Sequence, residues 1–225
     1  MQPSQRRGLS ILLGIPILKI QVIIFRMKFA VLSLATDALS EMRELTFANK
    51  RAYCEKHGYQ WIGANKAMDS SRPPAWSKIR MLQEACIHLP GWWAFWTDAD
   101  SLIVRPDWKI ESIADDNADL IISQDRNGIN TGSFLIRLGN QTWQFLTEAY
   151  EQTQYLNHRW WDQAAIRHVI DSGYPFRVKL ADKTLINAYP DDFKEGHSAI
   201  IHVPNNPKMW PNRMDELRKR LPQSV

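Results

Sequence analysis

Residues 92–100 read WWAFWTDAD. A run this dense in aromatic side chains fits only a strand covered on both faces, the position of a central strand in a sheet with helices on either side. It ends in two carboxylates one residue apart. Open α/β sheets bind their ligands beyond the carboxyl ends of the strands, so Asp98 and Asp100 are candidate site residues by position alone. In extended chain, residues two apart share a side; this predicts that the two carboxylates converge on one cation while Ala99 faces away. Two hard oxygen donors suit Mg²⁺ or Mn²⁺ and leave coordination positions for a diphosphate. The competing reading of an isolated Asp-x-Asp is a solvated turn, and the adjoining strand is the context that argues against it.

Upstream, residues 28–35 (KFAVLSLA) read as a buried first strand. Residues 41–56 read as a helix with Met42, Leu45, Ala52 and Tyr53 on one face and Gly58 just past its end. A second strand is predicted at 59–62, a polar, proline-bearing loop at 65–74, and a helix at 77–89 with Ile79, Leu82, Cys86 and Leu89 at helical spacing. Downstream, strands are expected at 102–104, 120–123 and 133–137, with a short helix near Ile110. Helices follow at 142–155 and 161–172, then short strands near Phe176 and at 199–203, while 215–220 reads as a solvated helix face. The alternation predicts an α/β, Rossmann-like single domain over 27–225, with a mixed, mostly parallel central sheet and helices on both faces.

Composition bounds the function. A chain of 225 residues suits one domain. With 44% hydrophobic and 23% charged residues, extended disorder and coiled coil are excluded. The net charge of +4 is spread along the chain and leaves no nucleic-acid footprint. Ten tryptophans favour carbohydrate, because aromatic faces stack on sugar rings. Cys54 and Cys86 have neither zinc spacing nor a disulfide framework, which points to a reducing compartment.

Residues 1–26 form an apolar extension: the stretch 9–25 follows Arg6 and Arg7 but contains Pro16, Lys19 and Gln21. As a helix it would reach about 25 Å, short of a hydrocarbon core of roughly 30 Å. It reads either as a peripheral membrane anchor or as an appendage upstream of a start at Met27. Without a stem or disulfides, the expectation is a cytoplasmic enzyme, working at the membrane face, rather than a secretory-lumen one.

A third metal ligand is available in His202, at the end of the apolar stretch AIIHV (199–203). An imidazole beside two carboxylates favours Mn²⁺, but a histidine on an apolar strand is also an ordinary core residue. Asp125, Asp191, Asp192 and His197 are competing donors, and spacing leaves the choice open.

Six segments taken together resemble the galactosyl-/mannosyl-/xylosyltransferase family of fungi and plants. They are NKRAYCEKHGY (49–59), AWSKIRM (75–81), FWTDADSLI (95–103), GINTGSFLIR (128–137), WDQA (161–164) and IIHV (200–203), in the family's order. The resemblance implies a GT-A glycosyltransferase fold, a nucleotide-sugar donor, a glycan acceptor and a divalent metal. By the same resemblance, Asp98 and Asp100 form the metal motif, with Asp98 nearer the ribose, and His202 completes it. It also implies that Lys78 lies near the donor phosphates, that Asn130, Thr131 and Gly132 form a turn lining the sugar side, and that Asp162 and Gln163 stand beside the anomeric carbon. The pattern departs at Pro204, Asn205 and Asn206, which replace a glycine-cysteine neighbourhood.

The reaction so implied is transfer of a hexosyl or pentosyl group with retention of the α configuration, in polysaccharide biosynthesis. Same-face attack is preferred, with Asp162 the nucleophile if there is one. The rivals are a metal-dependent phosphoesterase or nucleotidyltransferase using the same aspartates, and a non-catalytic sugar-binding module. An acceptor groove could draw on Trp160, Trp161 or Trp210.

Overall fold

The computed structural model describes residues 27–205, 208–209 and 211–222, so the 1–26 extension and Trp210 lie outside the described residues. The central sheet has six strands: β1 (Phe29–Leu34), β2 (Gln60–Ala64), β3 (Trp93–Thr97), β5 (Leu120–Asp125), β6 (Gly128–Arg137) and β7 (Val178–Leu180). Their order is β2-β1-β3-β6-β5-β7. Only β6 runs against the others, since β1 is parallel to β2 and β3, β6 is antiparallel to β3 and β5, and β7 is parallel to β5. A separate antiparallel pair, β4 (Ser101–Ile103) and β8 (Ile200–His202), sits beyond the end of β3.

The aromatic strand feeds two cores by simple alternation. Ala94 and Trp96 join Ala30 and Leu32 under helices α2 (Ser77–His88), α3 (Asn140–Tyr150) and α4 (Trp161–Asp171). Trp93 and Phe95 join Phe29 and Val31 on the opposite face, against Tyr53 and Cys54 of α1 (Ser40–His57) and Ile186 of α5 (Lys183–Ile186). Every residue of β3 is buried, as a strand covered on both sides requires. A last helix, α6 (Arg213–Lys219), places Leu217 in a third cluster with Leu102 and Ile201.

The element order follows the sequence closely, with instructive exceptions. Ala52 is exposed, and the buried stripe of α1 runs instead through Met42, Thr46, Lys50, Tyr53 and Cys54 before Gly58, at φ 71°, ends the helix. The expected 142–155 helix stops at Tyr150 and resumes as a short 3-10 turn at Thr153–Tyr155. The strand expected near Phe176 begins at Val178. The four residues of α5 gave too short a period to be read.

Candidate active site

The chain leaves β3 at Thr97, and Asp98 is followed by a tight turn in which the Ser101 N–H donates to Asp98 O (3.2 Å). Asp98 and Asp100 therefore converge through a turn, and the expected strand alternation is not what gathers them. The turn feeds β4, in which Ser101 stands directly opposite His202 of β8, and the Val203 N–H donates to Asp100 O (2.9 Å). Asp98, Asp100 and His202 consequently offer ligand atoms that all lie within 4.8 Å of one another. His202 Nε2 is 3.2 Å from Asp100 Oδ1, close to the spacing of neighbouring donors around an ion that binds oxygen at about 2.0–2.1 Å. Two carboxylates and an imidazole also have the right chemistry for Mn²⁺, so the residues fit a divalent cation. Three of the four competing donors are engaged elsewhere: Asp192 with Tyr189 N and Lys183, His197 with Asp182, Asp125 with Tyr189.

Three basic side chains stand among these carboxylates. Lys78 Nζ lies 3.1 Å from Asp98 Oδ1 and 3.1 Å from Asp162 Oδ2, and donates to Thr131 O at 2.8 Å. Burial works against the Lys78 charge, but Asp162 and Asp98 outweigh it and raise its pKa. Burial raises the Asp162 carboxyl and Lys78 only partly offsets it, because one ammonium is shared between two carboxylates. Arg213 donates to Asp100 Oδ2 and to Val203 O. Burial alone would raise the Asp100 carboxyl; His202 and Arg213 reverse this and hold it well below the usual range. Lys50, fully buried on α1, donates to Asp98 O (2.7 Å) and Ser33 Oγ (3.2 Å), and burial lowers its pKa to about 7.

Asn130, Thr131 and Gly132 lie inside β6; the turn expected before the strand is part of the strand itself. The β5–β6 ladder pairs Ile122 with Phe134 and then jumps to Ser123 opposite Asn130. Such an irregularity re-aims side chains beside a site. Gly132 then carries a duty that its neighbours do not: a Cβ there would overlap the Cε1 and Nδ1 of His202. Gln163 Oε1 accepts from Thr131 N (3.1 Å), and Thr131 Oγ1 donates to Asp162 Oδ2 (3.4 Å). Trp96 Nε1 donates to Asp98 Oδ1 (2.7 Å), so the aromatic strand also orients the carboxylate that follows it.

These groups, the buried Lys50 excepted, line one cleft of about 890 Å³, together with Leu34 to Thr36, Trp160, Trp161 and Tyr189. Trp160 is half-buried, whereas Trp161 is 44% exposed and, at φ 36°, is the only non-glycine with positive φ among the described residues. Sequence reasoning gave no role to Lys50, Arg213, Asn187 and Tyr189. Only Lys50 left a signal, a lysine in register with Thr46 and Tyr53 on a buried stripe.

A mixed sheet with a carboxylate turn at its rim is the GT-A glycosyltransferase fold. Residues 20–117 and 109–211 match the galactosyl transferase GMA12/MNN10 family, and the chain belongs to that family. It is 28% identical over 185 residues to an uncharacterised α-1,2-galactosyltransferase of Schizosaccharomyces pombe, covering 63% of this chain and 49% of that one. A probable α-1,6-mannosyltransferase of Saccharomyces cerevisiae is 25% identical over 152 residues, covering 52% and 36%. The chain thus spans about half or less of the length of these two relatives. Among solved structures, a glycosyltransferase involved in glycosylation of the major capsid of PBCV-1 superposes with a TM-score of 0.70 at 16% identity, covering 86% of this chain and 98% of that one. A Drosophila β-1,4-galactosyltransferase 7 mutant, in complex with manganese, UDP-Gal and xylobiose, superposes with a TM-score of 0.51 at 17% identity, covering 89% and 76%.

The relatives overturn the cytoplasmic placement, because they are yeast transferases of the secretory-pathway type. Cysteine usage and the reading of the amino-terminal stretch were a poor guide: cellular addresses are read from targeting segments, independently of the catalytic fold. Among the described residues no helix is long and apolar enough to cross a membrane.

Proposed function

We propose that this cleft moves a hexosyl or pentosyl group from a nucleoside-diphosphate sugar, a UDP-sugar, to a hydroxyl of a glycan acceptor, with a divalent cation and with retention to give an α linkage. The observation that carries the reading is the gathering of Asp98, Asp100 and His202 at the rim of the sheet, inside a cleft large enough for a sugar nucleotide.

Asp98, Asp100 and His202 would hold Mn²⁺ or Mg²⁺, which when bound supplies positive charge to the diphosphate as the glycosidic bond stretches. Lys78 holds a second, fixed positive charge on the cleft floor, close to where the leaving group develops its charge. Its two carboxylate partners keep it protonated and immobile, so little reorganisation is needed during bond cleavage. Asn130, Thr131 and Gly132 form the wall beside the sugar.

Asp162 accepts from both Lys78 and Thr131 on the same oxygen, Oδ2, and is buried. Tied in this way it is a poor nucleophile and a good fixed dipole under the oxocarbenium-like sugar. Gln163, anchored on Thr131 N, can orient but cannot attack. Both features favour attack by the acceptor on the face the diphosphate leaves. Trp161 offers the exposed face on which an acceptor ring would stack.

A donor screen tests the reading. UDP-sugars are incubated with the protein, with and without Mn²⁺ and with glycan acceptors, and UDP and the glycan product are measured. UDP release with sugar transfer supports it; release of phosphate or pyrophosphate supports phosphoryl chemistry, and metal-independent sugar binding without turnover supports a binding module.

A further inference from the structure

His202 does not meet its environment at Nε2 alone. On the far side of the ring, Nδ1 lies 2.9 Å from Oδ1 of Asn187, a fully buried residue just past α5. Imidazole nitrogens and amide termini are ambiguous in isolation, but here the assignment can be followed to a group that has no ambiguity. The backbone N–H of Gly132 can only donate, and it points at Asn130 Oδ1 (2.8 Å). Asn130 Oδ1 is therefore the carbonyl, and its amide nitrogen donates to the Asp125 carboxylate (3.1 Å) and meets Tyr189 Oη (2.7 Å), as an NH₂ beside a carboxylate must.

Asn187 presents its other terminus to that same Asn130 Oδ1 at 2.7 Å, so that terminus is the NH₂, which also reaches Ser123 Oγ (3.2 Å). The Asn187 carbonyl is then the group facing His202 Nδ1. An oxygen acceptor there requires a hydrogen on Nδ1. In the neutral ring the lone pair is consequently on Nε2, the atom turned toward Asp100. A lone pair and a carboxylate oxygen 3.2 Å apart repel each other unless a proton, as in the imidazolium, or a metal cation lies between them. Gly132 completes the arrangement by leaving no Cβ to push the ring off its seat.

We propose that Asn187 is a positioning residue that, held by Asn130 and Gly132, fixes His202 in the Nδ1–H tautomer and so presents Nε2 as a ligand to a divalent cation. The proposal rests on reading Asp98, Asp100 and His202 as the metal group. Partners of this kind, donated to by the far nitrogen of a ligating histidine, typically contribute 10- to 100-fold in metal affinity.

Two measurements test it. Mn²⁺ binding to the full chain in the presence of UDP is followed by the EPR signal of free Mn²⁺, for the wild type, Asn187→Leu and Asn187→Asp. Leucine removes the acceptor, and affinity is expected to fall by about 10- to 100-fold; aspartate keeps an oxygen facing Nδ1 and should retain more affinity than leucine. Wild-type affinity in a folded Asn187→Leu protein overturns the proposal. Because Asn187 is buried and leucine could prevent folding, the second measurement uses the wild type itself. Long-range ¹H–¹⁵N correlation of ¹⁵N-histidine protein, metal-free and above the ordinary histidine range, reports the neutral tautomer of His202. A ring protonated at Nδ1 supports the proposal, and one protonated at Nε2 overturns it. If the wild type shows the Nδ1–H ring yet takes up no Mn²⁺, the metal reading itself fails, and the purpose assigned to Asn187 fails with it.

Discussion

Lys78 Nζ and Asp162 Oδ2 lie 3.1 Å apart with almost no solvent contact on either side chain, and the same ammonium is equally close to Asp98 Oδ1. The pair joins α2 to the first turn of α4 through the floor of the cleft. Removing one member of a buried ion pair leaves an uncompensated charge, at a cost of about 3–5 kcal/mol. Lys78→Met leaves two facing carboxylates without their cation. The expected outcome is a loss of that order in thermal or urea stability, accompanied by loss of UDP-sugar hydrolysis by at least about 100-fold. Lys78→Met with full hydrolysis would remove Lys78 from the proposed mechanism.

Gly132→Ala tests a relationship of a different kind. The added methyl overlaps the His202 ring, while the backbone at Gly132 is not at the positive φ that would itself require a glycine. His202 must shift, so the Mn²⁺ dissociation constant is expected to rise about tenfold or more with a smaller change in melting temperature. Parallel titrations of wild type and variant with Mn²⁺ check this. A melting temperature that collapses while the metal affinity per folded molecule stays constant would mark Gly132 as a purely structural residue.

Chelation addresses the cation directly. EDTA should abolish sugar-nucleotide hydrolysis, and Mn²⁺ should restore it more effectively than Ca²⁺, whose larger coordination shell suits a set of two carboxylates and an imidazole poorly. Asp100→Asn should remain inactive at Mn²⁺ concentrations that saturate the wild type. Hydrolysis that survives exhaustive chelation contradicts the proposed role of all three ligands.

How much of this was legible in the chain varies from residue to residue. The aromatic run made β3 readable because no other setting hides that much apolar surface, and its carboxyl end then located Asp98 and Asp100. Their convergence was expected for the wrong reason: strand alternation was invoked, whereas a turn and the β4–β8 pair gather them. Asn130 to Gly132 looked like a loop because asparagine and glycine are depleted in strands, yet Asn130 pairs with Ser123 of β5 and Gly132 O accepts from Asp98 N (2.8 Å), which hold the segment in β6. Asn187 could not be read at all, since its role comes from contacts with residues 57 and 15 positions away in sequence.

Acid should destabilise the fold through a pair remote from the cleft. Asp119 accepts Arg177 Nε (2.9 Å), Arg177 NH2 by way of Oδ1 (2.6 Å) and Arg177 N (3.0 Å), tying β5 to the start of β7. Hydrogen bonding to Arg177 is the largest influence on Asp119 and depresses its carboxyl, despite the opposing effect of burial. For a depressed carboxyl the stabilisation is fully present above its unfolded pKa, about 3.9, and is lost as pH falls through the folded value. Urea midpoints measured from about pH 6 downward should therefore fall below about pH 4, and Asp119→Asn should flatten part of that decline. A variant with an unaltered acid limb would show that other carboxylates, such as Asp125, carry the effect.

Trp161 separates acceptor binding from donor chemistry. It stands immediately before Asp162, 44% exposed on the cleft wall, in a left-handed conformation that a bulky side chain adopts only where the surrounding structure enforces it. Exposure of an indole held in an unfavourable backbone state has no benefit to packing, so its use is sought in what enters the cleft. A pyranose ring stacked on that face would gain about 0.5–1.5 kcal/mol, equivalent to roughly 2- to 10-fold in affinity. Trp161→Ala should raise the acceptor KM by that factor, with the loss falling on transfer more than on acceptor-free hydrolysis, because Trp161 is not among the cation-ligating group Asp98, Asp100 and His202. Trp161→Phe should restore part of it. If both variants lose hydrolysis and transfer in equal measure, the strained tryptophan serves to set Asp162 in place, and the acceptor binds elsewhere along the cleft.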